Sequence, residues 1–542
     1  MFDSPRALPF GGREPSSYQK EKTMPRVASR NRKGRKAFVL QKPNGELTAR
    51  VQKVGAEHFG IVAVDCAKAR SRWLLADFYG KVLIEPASVT HSQGDFHALI
   101  DRLRQAIREH ALRDLVVAVE RTGEYHRPVL RAFRHAGFDT RLVHPLTSKQ
   151  YRQPADPDNK TDDTDLGGIF RAATHGFGLS EPIWPDAYLA IQLLRRHRRD
   201  FVDKKSSLYC QIREVLHAVM PGYAECFSEL WESPVALTIA RQTMSAAAIL
   251  QAGCDGLQRI VQEANFSCRR QTLHKLLVWA EQAPSGHPLS DIHRRILDNL
   301  DADRLEKTRK INDLERELAH AVVLTPYILL LAIPGINIVT VADLAGELGP
   351  IEFYPSANNI TGRAGLCPSR YQSDRVDHAD GPLRRRAHRR LRNVLMQTAD
   401  NLLSCNHYFR AKFDHWRRAG KDPRWIRVKI AKIFSRLAFN IVAAKQLLAH
   451  GCCQPRHYIL GKLLQFHAEH RTPAEETRRN LEAVIAQLPS NTRVEEAKPL
   501  REQLDDLAGR RRGPVLLAEI IPFVLARLGV SAVQSATGQD PD

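Results

Sequence analysis

The sequence predicts an α/β domain followed by a mainly helical region, and three observations carry this prediction. Between residues 56 and 180, short apolar runs and segments of helical spacing follow one another in the order βββαβαβ, which describes a mixed sheet with helices on its faces. From residue 181 onward the periodicity is almost entirely helical. The chain has 542 residues, of which 43% are hydrophobic, enough for several domains with real cores.

The predicted sheet contains five short strands. The first three lie in HFGIVAVDCAK, RSRWLLADFYG and KVLIEPAS, with Gly80 at the turn before the third. A helix in GDFHALIDRLRQAIREHAL leads to a buried parallel strand in DLVVAVE, and a helix in YHRPVLRAFRHAGF leads to the last strand in DTRLVHP. A polar loop, TSKQYRQPADPDNK, then precedes a helix in TDDTDLGGIFRAATHG with Thr161 as its N-cap.

We expect five regions along the chain. The helical connector carries the spacing of a short coiled coil near its end. The C-terminal domain begins with a helix-hairpin-helix-like element, in which an apolar helix, a turn at Pro334-Gly335 and a second helix follow one another, and it contains a basic helix from about Pro382. The regions are a flexible basic arm (1–55), the α/β domain (56–180), the connector (181–325), the C-terminal domain (326–450) and a helical tail of unknown role (451–542).

The charge of the chain indicates a polyanionic partner. The 81 Lys and Arg residues outnumber the 60 Asp and Glu residues, which gives a formal charge of +21 and favours nucleic acid over an anionic membrane surface. We find no apolar stretch of membrane-spanning length and no signal peptide. We therefore expect a cytoplasmic protein that does not associate with a membrane. The scattered cysteines argue against a structural zinc site or a disulfide framework.

Four carboxylates form the first candidate site. Asp65 and Glu120 stand at the C-terminal ends of predicted strands, where open α/β sheets place reacting groups. Asp162 and Asp165 are three residues apart and share one face of a helix. Such a set of oxygen ligands suits Mg²⁺ or Mn²⁺, and the alternative is that these are ordinary strand-end and helix-capping residues. Cys66 must point to the opposite face of its strand and is expected to be a core residue.

A serine and an arginine block form the second candidate site. Ser373 precedes a dense run of arginines, which could stabilise charge on a phosphate that its hydroxyl attacks. Ser369 is an equally placed competitor, and either serine could simply be a turn residue. The candidate nucleic-acid-binding residues are Arg384, Arg385, Arg386, Arg389, Arg390 and Arg392, unless this is a solvated face.

Two sets of segments resemble one family, the DEDD transposases of bacterial insertion sequences, which are related to Piv-type DNA invertases. The first set consists of HFGIVAVDCAK, LVVAVERTGEYHRPVLRAF and NKTDDTDLGGIF and resembles the N-terminal domain. The second consists of LLLAIPGINIVTVADLAGELG, GLCPS, QSD and LRRRAHRRLR and resembles the C-terminal transposase domain. Together they extend over roughly residues 58 to 450.

The resemblance implies a fold, a site and partners. The N-terminal domain would have an RNase H-like (RuvC-like) fold, with Asp65, Glu120, Asp162 and Asp165 as Mg²⁺ ligands. Ser373 would be the nucleophile, and it would complete the carboxylate site of another subunit and form a phosphoserine link to DNA before strand exchange. The implied partners are DNA, a bridging non-coding guide RNA from the element's flank, and further copies of the protein in a dimer or tetramer.

The chain departs from the family pattern at three positions. Ser373 is followed by Asp374 where glycine is usual, Leu166 replaces the usual alanine after the last aspartate, and Asn337 replaces the second glycine of I-P-G-I-G. Asn is the non-glycine residue that best tolerates a left-handed backbone, so we expect the fold to tolerate this change at Asn337. Two other functions stay open: a metal-dependent, structure-specific nuclease that uses water, and a nucleic-acid-binding protein without catalysis.

Overall fold

The structure is a computed structural model that describes most of the chain in two compact units. The units are Met1–Glu181 and Pro182–Asp542, and each is described by itself. The described residues are 45–154, 160–228, 230–231, 234–284, 286–373, 376–378, 381–385, 387–448 and 450–489. No helix within these ranges is long and apolar enough to cross a membrane.

The first unit follows the predicted order βββαβαβ, with helices added at both ends. The strands are β1 (Phe59–Cys66), β2 (Arg70–Asp77), β3 (Val82–Thr90), β4 (Asp114–Glu120) and β5 (Asp139–Val143). The helices are α1 (Gly45–Val54), α2 (Gln93–Glu109), α3 (His126–His135), α4 (Pro145–Arg152) and α5 (Asp162–Thr174). The predicted mixed sheet is confirmed, because the strand order is β3-β2-β1-β4-β5, with β1, β4 and β5 parallel and β2 antiparallel to both of its neighbours.

Alternation along the central strands gives the sheet two buried faces. Val62, Val64 and Cys66 of β1 face a core that includes residues of α2 and α3. The intervening Ile61 and Ala63 face a second core, which includes Leu166, Ile169, Ala172 and Ala173 of α5. Cys66 is a core residue as predicted, and its burial raises the pKa of its thiol to about 12.

The sequence-based prediction of a loop at 147–160 is partly wrong, because α4 occupies its first residues. Pro145 lies in the first turn of α4, and the imidazole of His144 accepts a hydrogen bond from the amide of Leu146. A Cβ atom on Gly168 of α5 would lie 2.7 Å from the carbonyl oxygen of Ser148, so only glycine allows α4 and α5 to approach this closely.

The predicted arm at 1–55 is wrong for its last residues, because 45–54 form α1 on the sheet; residues 1–44 lie outside the described part. Arg50 donates to both carboxylate oxygens of Asp114, over 2.6 and 2.8 Å, and to Asp139 over 2.5 Å. These bonds raise the pKa of Arg50 and lower that of Asp114. The partners are 64 and 89 residues away along the chain, so local periodicity could not reveal them.

We predict that Arg50→Ala releases α1 from the sheet. Loss of this charged hydrogen-bond set costs about 1–3 kcal/mol locally, which corresponds to about 5- to 100-fold faster amide exchange within α1. Lys53→Ala is the matched control, since Lys53 lies exposed on the same helix. Hydrogen–deuterium exchange measures both variants, and unchanged protection of α1 in Arg50→Ala would contradict the assignment.

The described part of the second unit is helical apart from one hairpin. Its helices are α6 (Asp186–Val219), α7 (Val235–Thr243), α8 (Ala246–Glu263), α9 (Arg270–Gln282), α10 (Ser290–Val322), α11 (Ile338–Leu348), α12 (Ala357–Arg363), α13 (Arg389–Cys405), α14 (His407–Arg418), α15 (Pro423–Ala444), α16 (Arg456–Glu469) and α17 (Ala474–Gln487). The hairpin consists of β6 (Tyr371–Ser373) and β7 (Val376–His378), which pair antiparallel. The long helices α6 and α10, which lie in the segment predicted as a connector, pack against each other.

The helix-hairpin-helix-like element differs from the prediction in its first helix. Residues Pro326–Ala332 form a 3-10 helix rather than an α-helix, and all of its residues after Pro326 are buried. Gly335 has φ of 94°, and a Cβ there would lie 3.0 Å from the carbonyl oxygen of Asn401, so the turn requires glycine. Asn337 does not need a left-handed backbone, since its φ is −119°; it caps α11 by accepting a hydrogen bond from the amide of Thr340 over 2.8 Å.

The predicted tail does not form a separate region where the structure describes it. Leu460 and Leu463 of α16 and Leu481 and Val484 of α17 are buried in the same core as α11, α13 and α15. The predicted boundary at 450 therefore runs through one hydrophobic core. Residues 490–542 of the predicted tail lie outside the described part of the chain.

Candidate active site

The pairing of two parallel strands brings Asp65 and Glu120 together. Val64 of β1 is in register with Val119 of β4, so Asp65 and Glu120 occupy the next positions on neighbouring strands. Alternation turns both side chains toward the face that α5 covers. The two carboxyl groups therefore lie side by side, close enough for the charge of Glu120 to raise the pKa of Asp65.

The first turn of α5 supplies the other two predicted carboxylates. Thr161 caps this helix as predicted, and its hydroxyl and that of Thr164 form a reciprocal capping box. Asp162 and Asp165 lie in the first turn, where the helix dipole favours negative charge. Leu166 is fully buried against the sheet and fixes this end of α5.

Burial and neighbouring charge together raise the pKa of Asp65 to about 7. Desolvation is the largest cause, followed by the negative charge of Glu120 and the hydrogen bond to it. The charges of Asp165 and Asp162 contribute in the same direction, so the other three predicted residues all act electrostatically on Asp65. Within the described ranges, no ion pair includes Asp65, Glu120 or Asp162.

Sequence reasoning missed two side chains that contact this cluster and a third that binds a neighbouring aspartate of α5. Ser148 of α4 is buried and donates a 2.7 Å hydrogen bond to Glu120. Arg152, one turn further along α4, is also buried and lies 3.2 Å from Asp165. Arg72 of β2, the register partner of Asp65, binds Asp163 over 2.5 Å. Of these three residues, only Arg72 could have been found from the sequence, because it lies on the strand that pairs with the strand of Asp65.

The cluster contains oxygen donors but not a completed metal cage. Among the residues that the structure describes, no group of three or more His, Cys, Asp or Glu is arranged to hold a metal ion. One of the four carboxylates, Asp165, is instead paired with Arg152. The donor set still fits Mg²⁺ or Mn²⁺, because it is rich in carboxylate oxygen and has a surplus of negative charge.

The second predicted site lies in the hairpin of the second unit. Ser373 is the last residue of β6 and pairs with Val376, while its side chain and Asp374 lie outside what the structure describes. The competitor Ser369 is described, and its hydroxyl donates to the carbonyl oxygen of Pro382 over 2.9 Å. The hydroxyl proton of Ser369 is therefore engaged in a hydrogen bond to a backbone carbonyl.

The predicted arginine block is partly loop and partly helix. The expected helical start near Pro382 is wrong, because α13 begins at Arg389, where the imidazole of His388 accepts from the amide of Leu391. The exposed arginines are Arg384 and Arg385 before the helix and Arg389 and Arg390 in its first turn; Arg386 lies outside the described residues.

Arg392 has a structural task. Its guanidinium donates to the carbonyl oxygens of Ala364, over 2.8 Å, and of Gly365 and Arg384. It therefore ties the loop before α13 to the segment after α12.

We predict that the carboxylate cluster destabilises the metal-free protein at neutral pH. Folding raises the pKa of Asp65 from 3.8 to about 7, so the folded state binds more protons between these values and loses stability as pH rises toward 7. Asp65→Asn should raise Tm in EDTA, slightly near pH 4 and most above pH 7. Calorimetry measures this difference against Asp101→Asn, an exposed residue of α2. A difference that is independent of pH would contradict the shift.

Two family profiles match the chain. Residues 62–221 match the transposase family DEDD_Tnp_IS110, and residues 327–414 match the family described as Transposase IS116/IS110/IS902. The first match contains all four carboxylates, and the second contains Ser373 and the arginine block. No curated protein matches the chain. Over these two segments, the chain therefore matches the IS110-type DEDD transposases.

Proposed function

We propose that this transposase cuts and rejoins DNA through a carboxylate-held Mg²⁺ site and a serine nucleophile, Ser373. The observation that carries the proposal is the juxtaposition of Asp65 and Glu120 at the ends of neighbouring parallel strands, with the pKa of Asp65 raised to about 7. Strongly shifted carboxyl groups at such a position are typical of active sites. The match to the transposase family supplies DNA as the substrate.

The metal ligands would be Asp65, Glu120, Asp162 and Asp165. Mg²⁺ or Mn²⁺, when bound, supplies positive charge that stabilises the attacking and leaving oxygens of a phosphoryl transfer. Two features of the cluster suit such an ion. Its donors are oxygen atoms, and Asp65 and Glu120 form no ion pair with a described cationic side chain. An RNase H-like fold for the first unit belongs to the same proposal, supported by its five-stranded mixed sheet.

The side chains around the cluster would keep the carboxylates in place. Ser148 holds Glu120 by a 2.7 Å hydrogen bond, which leaves the other oxygen of Glu120 for a ligand. Arg152 would hold Asp165 in position through their ion pair. Because α4 carries both residues and Gly168 lets α4 approach α5, the helix pair acts as a rigid support for the cluster.

Ser373 would attack a DNA phosphodiester. The bond between its Oγ and phosphorus forms, the bond from phosphorus to one DNA oxygen breaks, and that oxygen leaves as a hydroxyl. The exposed Arg384, Arg385, Arg389 and Arg390 are suited to phosphate binding beside it. Engagement of the Ser369 hydroxyl by Pro382 supports Ser373 as the nucleophile over its neighbour.

A guide RNA and an oligomer complete the proposal. The formal charge of +21 exceeds what one short DNA site needs and favours additional nucleic acid, for which we propose a non-coding RNA from the element's flank. A dimer or tetramer would supply the carboxylates and the serine from different copies. The family resemblance supports both proposals.

We predict a covalent protein–DNA adduct that depends on Ser373. The full chain, Mg²⁺, labelled DNA spanning the element's junction and RNA transcribed from its flank are incubated and resolved on a denaturing gel. A retarded band should form with the wild type and with Ser369→Ala, and it should be absent from Ser373→Ala. Asp65→Ala should also give no band while it binds DNA with nearly unchanged affinity.

Two outcomes would contradict the proposal. Cleaved DNA without any adduct would indicate a nuclease that uses water. Binding of DNA and RNA with neither cleavage nor adduct would indicate a nucleic-acid-binding protein without catalysis.

A further inference from the structure

Helices α14 and α15 and the turn between them carry a cluster of alternating aromatic and basic side chains, partly exposed, which we call the aromatic–basic patch. It consists of Tyr408, Lys412, Trp416, Lys421, Trp425 and Lys429. The rings of Trp416 and Trp425 meet edge to face, with centroids 5.9 Å apart. We infer that this patch binds unpaired nucleotides of a single-stranded nucleic acid, with a base stacked on Trp425.

Trp425 is placed for contact with a ligand rather than for packing. All six tryptophans lie within the described residues, and Trp425 is the one among them that is exposed, at 45% of its surface. Trp416 packs partly against the hydrophobic core, whereas Trp425 is not part of that cluster. A large exposed aromatic side chain with such neighbours is typical of a recognition surface.

Lysines surround the exposed ring. The ammonium groups of Lys421 and Lys429 lie 5.9 and 5.8 Å from the centre of the Trp425 ring. Lys412 lies 4.8 Å from the ring of Tyr408 and 5.8 Å from that of Trp416. Within the described ranges, none of these three lysines belongs to an ion pair, so their charges are available to phosphates.

The acidic residues of this segment do not neutralise the patch. Residues 407–429 contain eight Lys and Arg but two acidic residues, Asp414 and Asp422. The carboxylate of Asp422 caps α15 by accepting from the amides of Arg424 and Trp425, over 2.7 and 3.2 Å. Asp414 lies 3.9 Å from Arg410. The surface beside Trp425 is therefore strongly positive.

This combination fits a flexible single strand better than a duplex. Stacking requires a base whose face is free, and duplex bases have both faces covered. Positive side chains beside an aromatic platform then follow the phosphates of the same strand. An acidic peptide would need the lysines but not the exposed indole, and a membrane would need a larger apolar surface than one ring.

The test measures binding of the full chain to fluorescein-labelled 12-nucleotide oligo(dA) and oligo(A), in EDTA so that no cleavage occurs. Trp425→Ala should weaken both interactions about 5- to 100-fold, while Trp425→Phe, which keeps a ring, should lose less than about threefold. Phe353→Ala is the matched control, because Phe353 is 44% exposed and follows an acidic residue. Binding to a 12-base-pair duplex should be weaker and insensitive to Trp425→Ala.

Two further readouts separate stacking from charge. Oligo(dA) should quench the tryptophan fluorescence of the wild type, and this quenching should be much smaller in Trp425→Phe although binding persists. The double variant Lys421→Ala/Lys429→Ala should reduce the salt slope of binding by about 1.4, the value for two lost phosphate contacts on a single strand.

Several results would overturn the inference. The first is that Trp425→Ala binds the single strands as tightly as the wild type. The second is that Trp425→Ala and Phe353→Ala lose the same affinity for them. The third is that a 12-residue polyglutamate binds the wild type as tightly as the oligonucleotides do. Binding of anionic phosphatidylglycerol vesicles without binding of oligonucleotides would do the same. The inference does not depend on the proposed chemistry, since Asp65→Ala should bind oligonucleotides like the wild type.

Discussion

The parallel pairing of β1 with β4 is the constraint on which the candidate active site depends. Its register places Asp65 beside Glu120, and strand alternation turns both carboxyl groups toward α5. Placing two ionised, partly buried carboxylates side by side is unfavourable. Burial and the charge of Glu120 therefore raise the pKa of Asp65. The hydrophobic cores on both faces of the sheet provide the free energy that maintains this arrangement.

Two arginines make the acidic surface of α5 compatible with folding. Arg72 binds Asp163 and Arg152 binds Asp165, so part of the charge in the first turn of α5 is balanced within the unit. Asp65 has no cationic partner among the described residues, and its pKa is raised instead. The unit therefore folds around a local excess of negative charge, and that excess favours a divalent cation at this position.

Much of this architecture could be predicted from the sequence, because it depends on local patterns. Strand periodicity and the strand ends located Asp65 and Glu120, and the cap at Thr161 located the start of α5. Helix α4 was not predicted because it is short and polar, and its position depends on packing against α5 at Gly168. Helix α1 was missed for a similar reason, since ion pairs to distant residues hold it on the sheet.

The most direct measurement of the central claim is divalent-cation binding at the paired strands. Electron paramagnetic resonance of Mn²⁺ added to the full chain near pH 7.5 reports the bound ion without any need for DNA. Glu124→Gln is the matched control for Glu120→Gln, because Glu124 is an exposed glutamate four residues further along the chain. The account predicts that the wild type and Glu124→Gln bind Mn²⁺ alike and that Glu120→Gln binds it at least about tenfold more weakly. Equal Mn²⁺ binding by Glu120→Gln and the wild type would contradict it.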